Sequence, residues 1–142
     1  MASINIRNAA VAIGIALAAV GTTTVAAHAA EETAFCVKDG HTLNAKAHYV
    51  NSGAYHVWTS MSYRVSGGQL GPQSDVFWTI KAGGEDAYSG GDTEVPPNVW
   101  KNTPNTKQVR TYGGYEEYVV FRAVFDEPFQ FDPECYASTR KI

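Results

Sequence analysis

Residues 55–65 read Tyr-His-Val-Trp-Thr-Ser-Met-Ser-Tyr-Arg-Val. One set of alternate positions carries Tyr55, Val57, Thr59, Met61, Tyr63 and Val65; the other carries His56, Trp58, Ser60, Ser62 and Arg64. A period of two is the mark of a half-buried β-strand, whose successive side chains point to opposite faces of a sheet. The same pattern recurs downstream, where Val76, Trp78 and Ile80 alternate within 75–82. Segment 117–126 is apolar on both faces, with Val119, Phe121, Ala123 and Phe125 against Tyr118, Val120 and Val124. Apolar side chains on both faces predict a central strand. Weaker candidates cover 35–38, 43–50, 108–112 and 129–131, with a short strand after Cys135.

Composition agrees with the pattern. Residues 31–142 hold 13 Val and Ile but only three Leu and Met, namely Leu43, Leu70 and Met61. β-Branched and aromatic side chains suit a pleated surface, and all 17 aromatic residues lie in this stretch. The stretches between candidate strands are rich in turn formers, among them Asp39-Gly40, Asn51-Ser52-Gly53, Gly83-Gly84, Ser89-Gly90-Gly91 and Gly113-Gly114. The expectation is a single all-β domain of seven or eight short antiparallel strands, a sandwich or a small barrel.

The chain has 142 residues, and its first thirty differ from the rest. Arg7 precedes an apolar run from Ala9 to Val20, and Ala27-His28-Ala29 follows a short spacer. A basic start, a short apolar segment and small residues at the −3 and −1 positions are the order of a secretory signal. The reading is a signal peptide over 1–29, cleaved after Ala29 or Ala30, and a single mature domain over 30–142. Twelve apolar residues reach about 18 Å as a helix, short of the roughly 30 Å hydrocarbon core. The expected product is secreted to the extracellular space, with no membrane association after cleavage. Beyond residue 30 there are 10 basic and 14 acidic side chains, an acidic balance that speaks against a nucleic-acid partner.

Two cysteines are present, Cys36 and Cys135. In an oxidising compartment an even pair is expected to bridge, here joining the two ends of the domain. No CxxC occurs, so the expected role is structural.

The candidate binding residues are Trp100, Pro96 and Pro97, within the Pro- and Thr-rich segment 90–107. Proline cannot donate to a strand ladder, so this segment is expected to be largely irregular and not central strand. A loop that presents a tryptophan suits a contact hot spot. The alternative is that Trp100 and Val99 fold back as a plug over the end of the domain. The polar–aromatic set of Trp58, Arg64, His56, Ser60 and Ser62 is a second candidate surface.

Catalytic and metal templates are missing: no Gly-x-Ser-x-Gly, HExxH or phosphate-loop motif occurs. The acidic residues Asp126, Glu127, Asp132 and Glu134 match no calcium-loop spacing, and His41, His48 and His56 form no zinc pattern, although His48 and His56 could face each other across the turn at Asn51–Gly53. No cofactor or metal is expected. The functional reading is a small non-catalytic binding module that recognises an extracellular protein or carbohydrate through its loops. A small hydrolase whose residues converge only in three dimensions is one alternative, and a structural extracellular protein is the other.

Overall fold

The computed structural model describes residues 28–128 and 131–142; residues 1–27 of the expected signal segment 1–29, and two residues of the candidate strand 129–131, lie outside the described residues. Eight strands follow one another: β1 (Ala29–Lys38), β2 (His41–Ser52), β3 (Tyr55–Ser66), β4 (Ser74–Ala82), β5 (Glu85–Val95), β6 (Lys101–Tyr112), β7 (Glu117–Val124) and β8 (Glu134–Ser138). They form two four-stranded sheets, ordered β1-β2-β3-β6 and β5-β4-β7-β8. Every pairing is antiparallel. The sheets are separate ladders facing each other, so the fold is a sandwich and not a closed barrel.

The core between them is built from the alternating apolar positions. Leu43, Trp58, Met61, Tyr63, Ile80 and Phe121 are fully buried. β7 lies between β4 and β8, the central position that its two apolar faces require. Short connections fix the register. β1 and β2 join through Asp39 and Gly40, with φ of 49° and 83° and Lys38 paired to His41. Two successive positive φ angles define a type I′ turn, which the Asp-Gly pair adopts at low steric cost.

Three expectations are corrected. First, segment 90–107 is mostly strand: it holds the end of β5, a five-residue connection over 96–100 and the start of β6. Both strands are sheet edges, and Pro104 pairs with Ser60 where the β3–β6 register shifts. An edge position beside a bulge is where a ladder tolerates proline.

Second, Trp58 does not share the outer face with Ser60 and Ser62. Register shifts occur between Trp58 and Ser60 on one side of β3 and between His48 and Tyr49 on the other. The irregularity reverses the alternation, so His56 and Trp58 point inward before it, as do Met61, Tyr63 and Val65 after it. A one-residue slip moves a side chain to the opposite face, and here it takes an indole into the core.

Third, β5 has no counterpart in the sequence reading, because Ser89-Gly90-Gly91 looks like a turn. The glycines sit mid-strand, paired with Trp78 and Phe77 of β4. A Cβ on Gly90 would meet the Trp78 indole at 2.8 Å, and one on Gly91 would collide with the Phe77 ring. The missing side chains let two large rings of β4 lie across the neighbouring strand. Of the candidate strand 129–131, Phe131 belongs to no strand.

The open edges are closed differently at the two sides of the sandwich. Cys36 on β1 and Cys135 on β8 form a disulfide across the sheets, with Cα atoms 6.1 Å apart and a sequence separation of 99. Arg140 donates to the nearly buried Glu32 at 2.7 Å beside it. On the other side Asp92 of β5 accepts from Tyr63 Oη at 2.6 Å and from Lys101 Nζ at 2.8 Å, linking β5 to β3 and β6.

Candidate functional site

The outer face of the β1-β2-β3-β6 sheet gathers short polar side chains at consecutive outward positions. Lys46 and His48 come from β2, Ser62 from β3, Asn102 from β6 and Glu31 from β1. Antiparallel register makes this assembly: Ser62 pairs with Lys46 on one side and with Asn102 on the other, while Glu31 pairs with His48. His48 Nε2 lies 2.8 Å from Ser62 Oγ, and Ser62 donates to Asn102 Oδ1 at 2.8 Å. Glu31 holds the other end of the group, with Oε1 at 3.0 Å from Lys46 Nζ and Oε2 at 3.6 Å from His48 Nδ1. The polar atoms are thus oriented by one another before any ligand arrives.

Trp100 completes this surface. It ends the 96–100 connection, is 47% exposed, and has the Lys46 ammonium 5.6 Å from its ring centroid. Together these residues line a shallow cleft of about 380 Å³. Trp100 therefore stands on the outer sheet face and is no plug over the sandwich end. Pro96 and Pro97 are half-buried and do not line the cleft; their ring geometry restricts the connection that delivers Trp100. Lys46, His48, Ser62, Asn102 and Glu31 carried no motif in the sequence. Their signal is the i, i+2 spacing of Lys46 with His48 and of Ser60 with Ser62, which becomes a site only once the hairpin register is known.

Two buried histidine–carboxylate contacts lie elsewhere. At one end of the sandwich Trp58 Nε1 donates to Thr111 Oγ1 at 2.9 Å, and Thr111 donates to Glu117 Oε2. Glu117 is fully buried, and His56 Nδ1 lies 3.2 Å from Oε2 without the alignment of a hydrogen bond. His56 lines a cleft of about 290 Å³ with Tyr112 and Gly113. At another place His41 contacts Glu127 beside a cleft of about 370 Å³. His48 and His56 thus face opposite sides of the sheet and do not meet across the turn. Glu116 pairs with Lys141 at 2.7 Å, while its neighbour Glu117 points into the core.

The acidic stretch disperses on folding. Asp126 accepts from the backbone of Gln73 at 2.9 Å, Asp132 from that of Glu127 at 3.2 Å, and Glu134 pairs with Arg122 at 2.6 Å. Among the described residues no three His, Cys, Asp or Glu side chains come together in a way that could hold a metal ion. No helix among them is long and apolar enough to cross a membrane.

Electrostatics are most pronounced beside the Trp100 face. Burial pushes the Asp92 carboxyl upward, but the Lys101 ammonium and the Tyr63 and Thr103 hydroxyls outweigh it and hold the group below the usual carboxylate range. Burial, then the hydrogen bond to Asp92, raise Tyr63 well above an ordinary phenol. Lys101 is thereby held at the rim of the cleft by a carboxylate from the other sheet. Compared with protein-family models, curated proteins and solved structures, the chain matches none.

Proposed function

We propose that the protein is an extracellular binding module whose ligand is a carbohydrate, held on the outer sheet face at Trp100. The observation that carries this reading is the half-exposed indole beside the hydrogen-bonded His48, Ser62 and Asn102, with the Glu31 carboxylate 3.6 Å from His48. An aromatic face is electron-rich and takes the C–H surface of a sugar ring, while neighbouring carboxylate, amide and hydroxyl groups exchange hydrogen bonds with its hydroxyls. Protein hot spots, by contrast, sit in deep, desolvated pockets, whereas this cleft is shallow and hydrogen-bonding groups of His48, Ser62 and Asn102 lie beside the indole. The Cys36–Cys135 disulfide suits export, with the leader removed after Ala29 or Ala30. Amino-terminal sequencing of the secreted product checks that boundary.

The binding test is calorimetric titration of the mature, oxidised protein with a panel of oligosaccharides, repeated with Trp100→Ala. At least one oligosaccharide should bind, and the variant should lose about tenfold or more in affinity at unchanged melting temperature. A panel with no binder, or a variant that binds as well as the parent, would sink the reading.

A second reading has one specific observation in its favour. Glu31, His48 and Ser62 stand in the order of a carboxylate–histidine–serine relay, with Ser62 Oγ at 2.8 Å from His48 Nε2. The face is open to water, and Asn102 competes for the Ser62 proton at the same distance. Incubation with a fluorophosphonate should leave the protein's mass unchanged under the binding reading. A stoichiometric adduct on Ser62, lost in His48→Ala, would establish a hydrolase instead.

A further inference from the structure

We infer that the carbohydrate taken by the Trp100 face is an anionic chain, with Arg64 and Arg110 as its charge contacts. This rests on the reading of that face as a saccharide site and adds the charge and length of the ligand. Nine Lys and Arg side chains are described, and seven of them have a carboxylate within 3.5 Å. Among the described residues, the two without such a partner are Arg64 and Arg110. In a chain with 14 acidic and 11 basic side chains, a cation lacking a carboxylate is the exception. Both exceptions lie on one surface, the outer face of the β1-β2-β3-β6 sheet.

Arg64 shares its outward face with Ser62 and Ser66, and its Nε is enclosed with no hydrogen-bond partner. Ser62 pairs with Asn102 and Tyr63 with Lys101, and there the ladder ends, with Arg64 the next residue on β3 and Trp100 the residue just before β6. Arg110 projects from the other end of β6, its guanidinium 4.3 Å from the Tyr55 ring centroid. Tyr55 in turn meets Tyr112 edge-on at 5.8 Å, and both rings are exposed.

The face therefore carries an aromatic ring and an unpaired guanidinium at each end. The span from Arg64 to Tyr55 is nine residues of β3, or about 30 Å at about 3.3 Å per residue. A single small anion would use one end only; a chain with repeated acidic sugars would use both. Guanidinium is a planar donor fork that matches carboxylate and sulfate oxygens, so polyuronates and sulfated polysaccharides share the required chemistry. Stacking rings and arginines also suit single-stranded nucleic acid. The protein's negative net charge opposes every polyanion alike, so the choice of a saccharide rests on the polar groups beside Trp100, namely Glu31, His48, Ser62 and Asn102.

The test measures binding of the mature, oxidised protein to polygalacturonate, a sulfated dextran, a neutral soluble β-glucan and a thymidine oligonucleotide. At least one acidic polysaccharide should bind about tenfold or more tightly than the neutral glucan, and less tightly as salt is raised. Arg110→Gln and Arg64→Gln should each weaken that binding by about tenfold, with Arg110→Lys falling between. Arg110 is exposed, so its variant decides the matter even if Arg64→Gln fails to fold. The two acidic polymers separate carboxylate from sulfate recognition. Equal binding of the neutral glucan, with Arg110→Gln harmless, would overturn the anionic inference and leave the carbohydrate site standing. No binding to any polysaccharide would remove both. Tighter binding of the oligonucleotide than of every polysaccharide would also overturn the inference.

Discussion

Asp92 shows how one side chain couples the two sheets. Its carboxylate receives Tyr63, Lys101 and Thr103, and these outweigh the effect of burial, so the group titrates below its ordinary value. A lowered folded-state pKa means that stability is present above the unfolded value, near 4, and is lost as pH falls through the folded value. Asp92→Asn is therefore expected to cost about 1–2 kcal/mol at neutral pH, with the deficit shrinking below about pH 4. Thermal melts of both proteins from pH 2 to 7 check this; a constant deficit at all pH values would exclude an ionic role. Tyr63 acts at the opposite end of the scale. Its raised pKa adds stability that is present below the unfolded value near 10 and lost as pH rises beyond it. Trp58 and Trp100 illustrate why residue type alone does not reveal role. One indole is fully buried and bonded to Thr111, the other is half-exposed over the outer sheet. Nothing local to either residue distinguishes them.

At the scale of elements, β5 is the strand that propensity disfavors and packing requires. Its two mid-strand glycines admit the rings of Trp78 and Phe77. Gly90→Ala is predicted to destabilise the fold by roughly 1–3 kcal/mol, because Trp78 is almost wholly buried and has little room to move. Gly68→Ala is the matched control: its added Cβ meets nothing within 4 Å, and the cost should stay within about 0.5 kcal/mol. Urea midpoints of the two variants measure the contrast, and equal midpoints would contradict the packing argument. The irregularity in β3 is a second lesson of this scale. The alternation of 55–65 correctly marks a strand, but the shift at Trp58–Ser60 turns one half over relative to the other. Period-two reasoning has no means to see a shift that depends on two neighbouring strands. The expected outer surface of Trp58, His56, Ser60, Ser62 and Arg64 accordingly divides, with only the last three facing outward.

At the scale of the whole molecule, the Cys36–Cys135 bridge ties two sheets at strands that are far apart in sequence. Closing a loop of about 100 residues is worth roughly 4–5 kcal/mol in the chain-entropy account. The double variant Cys36→Ala, Cys135→Ala is expected to melt more than about 10 °C below the oxidised parent. Scanning calorimetry decides it, and a shift of only a degree or two would show that Arg140–Glu32 and the sheet edges suffice without the bridge. What the sequence by itself determined is local or forced: the β character from Val, Ile and aromatic content, the strand periods, the central place of β7 and the pairing of the only two cysteines. What only the tertiary structure decided is the identity of neighbours. It made β5 a strand, turned Trp58 inward, and brought Glu31, His48, Ser62 and Asn102 to one surface beside Trp100. The physical reason is that a side chain's period and propensity are properties of its own segment. Its partners are set instead by register between strands dozens of residues apart, and a shift of one residue changes them all.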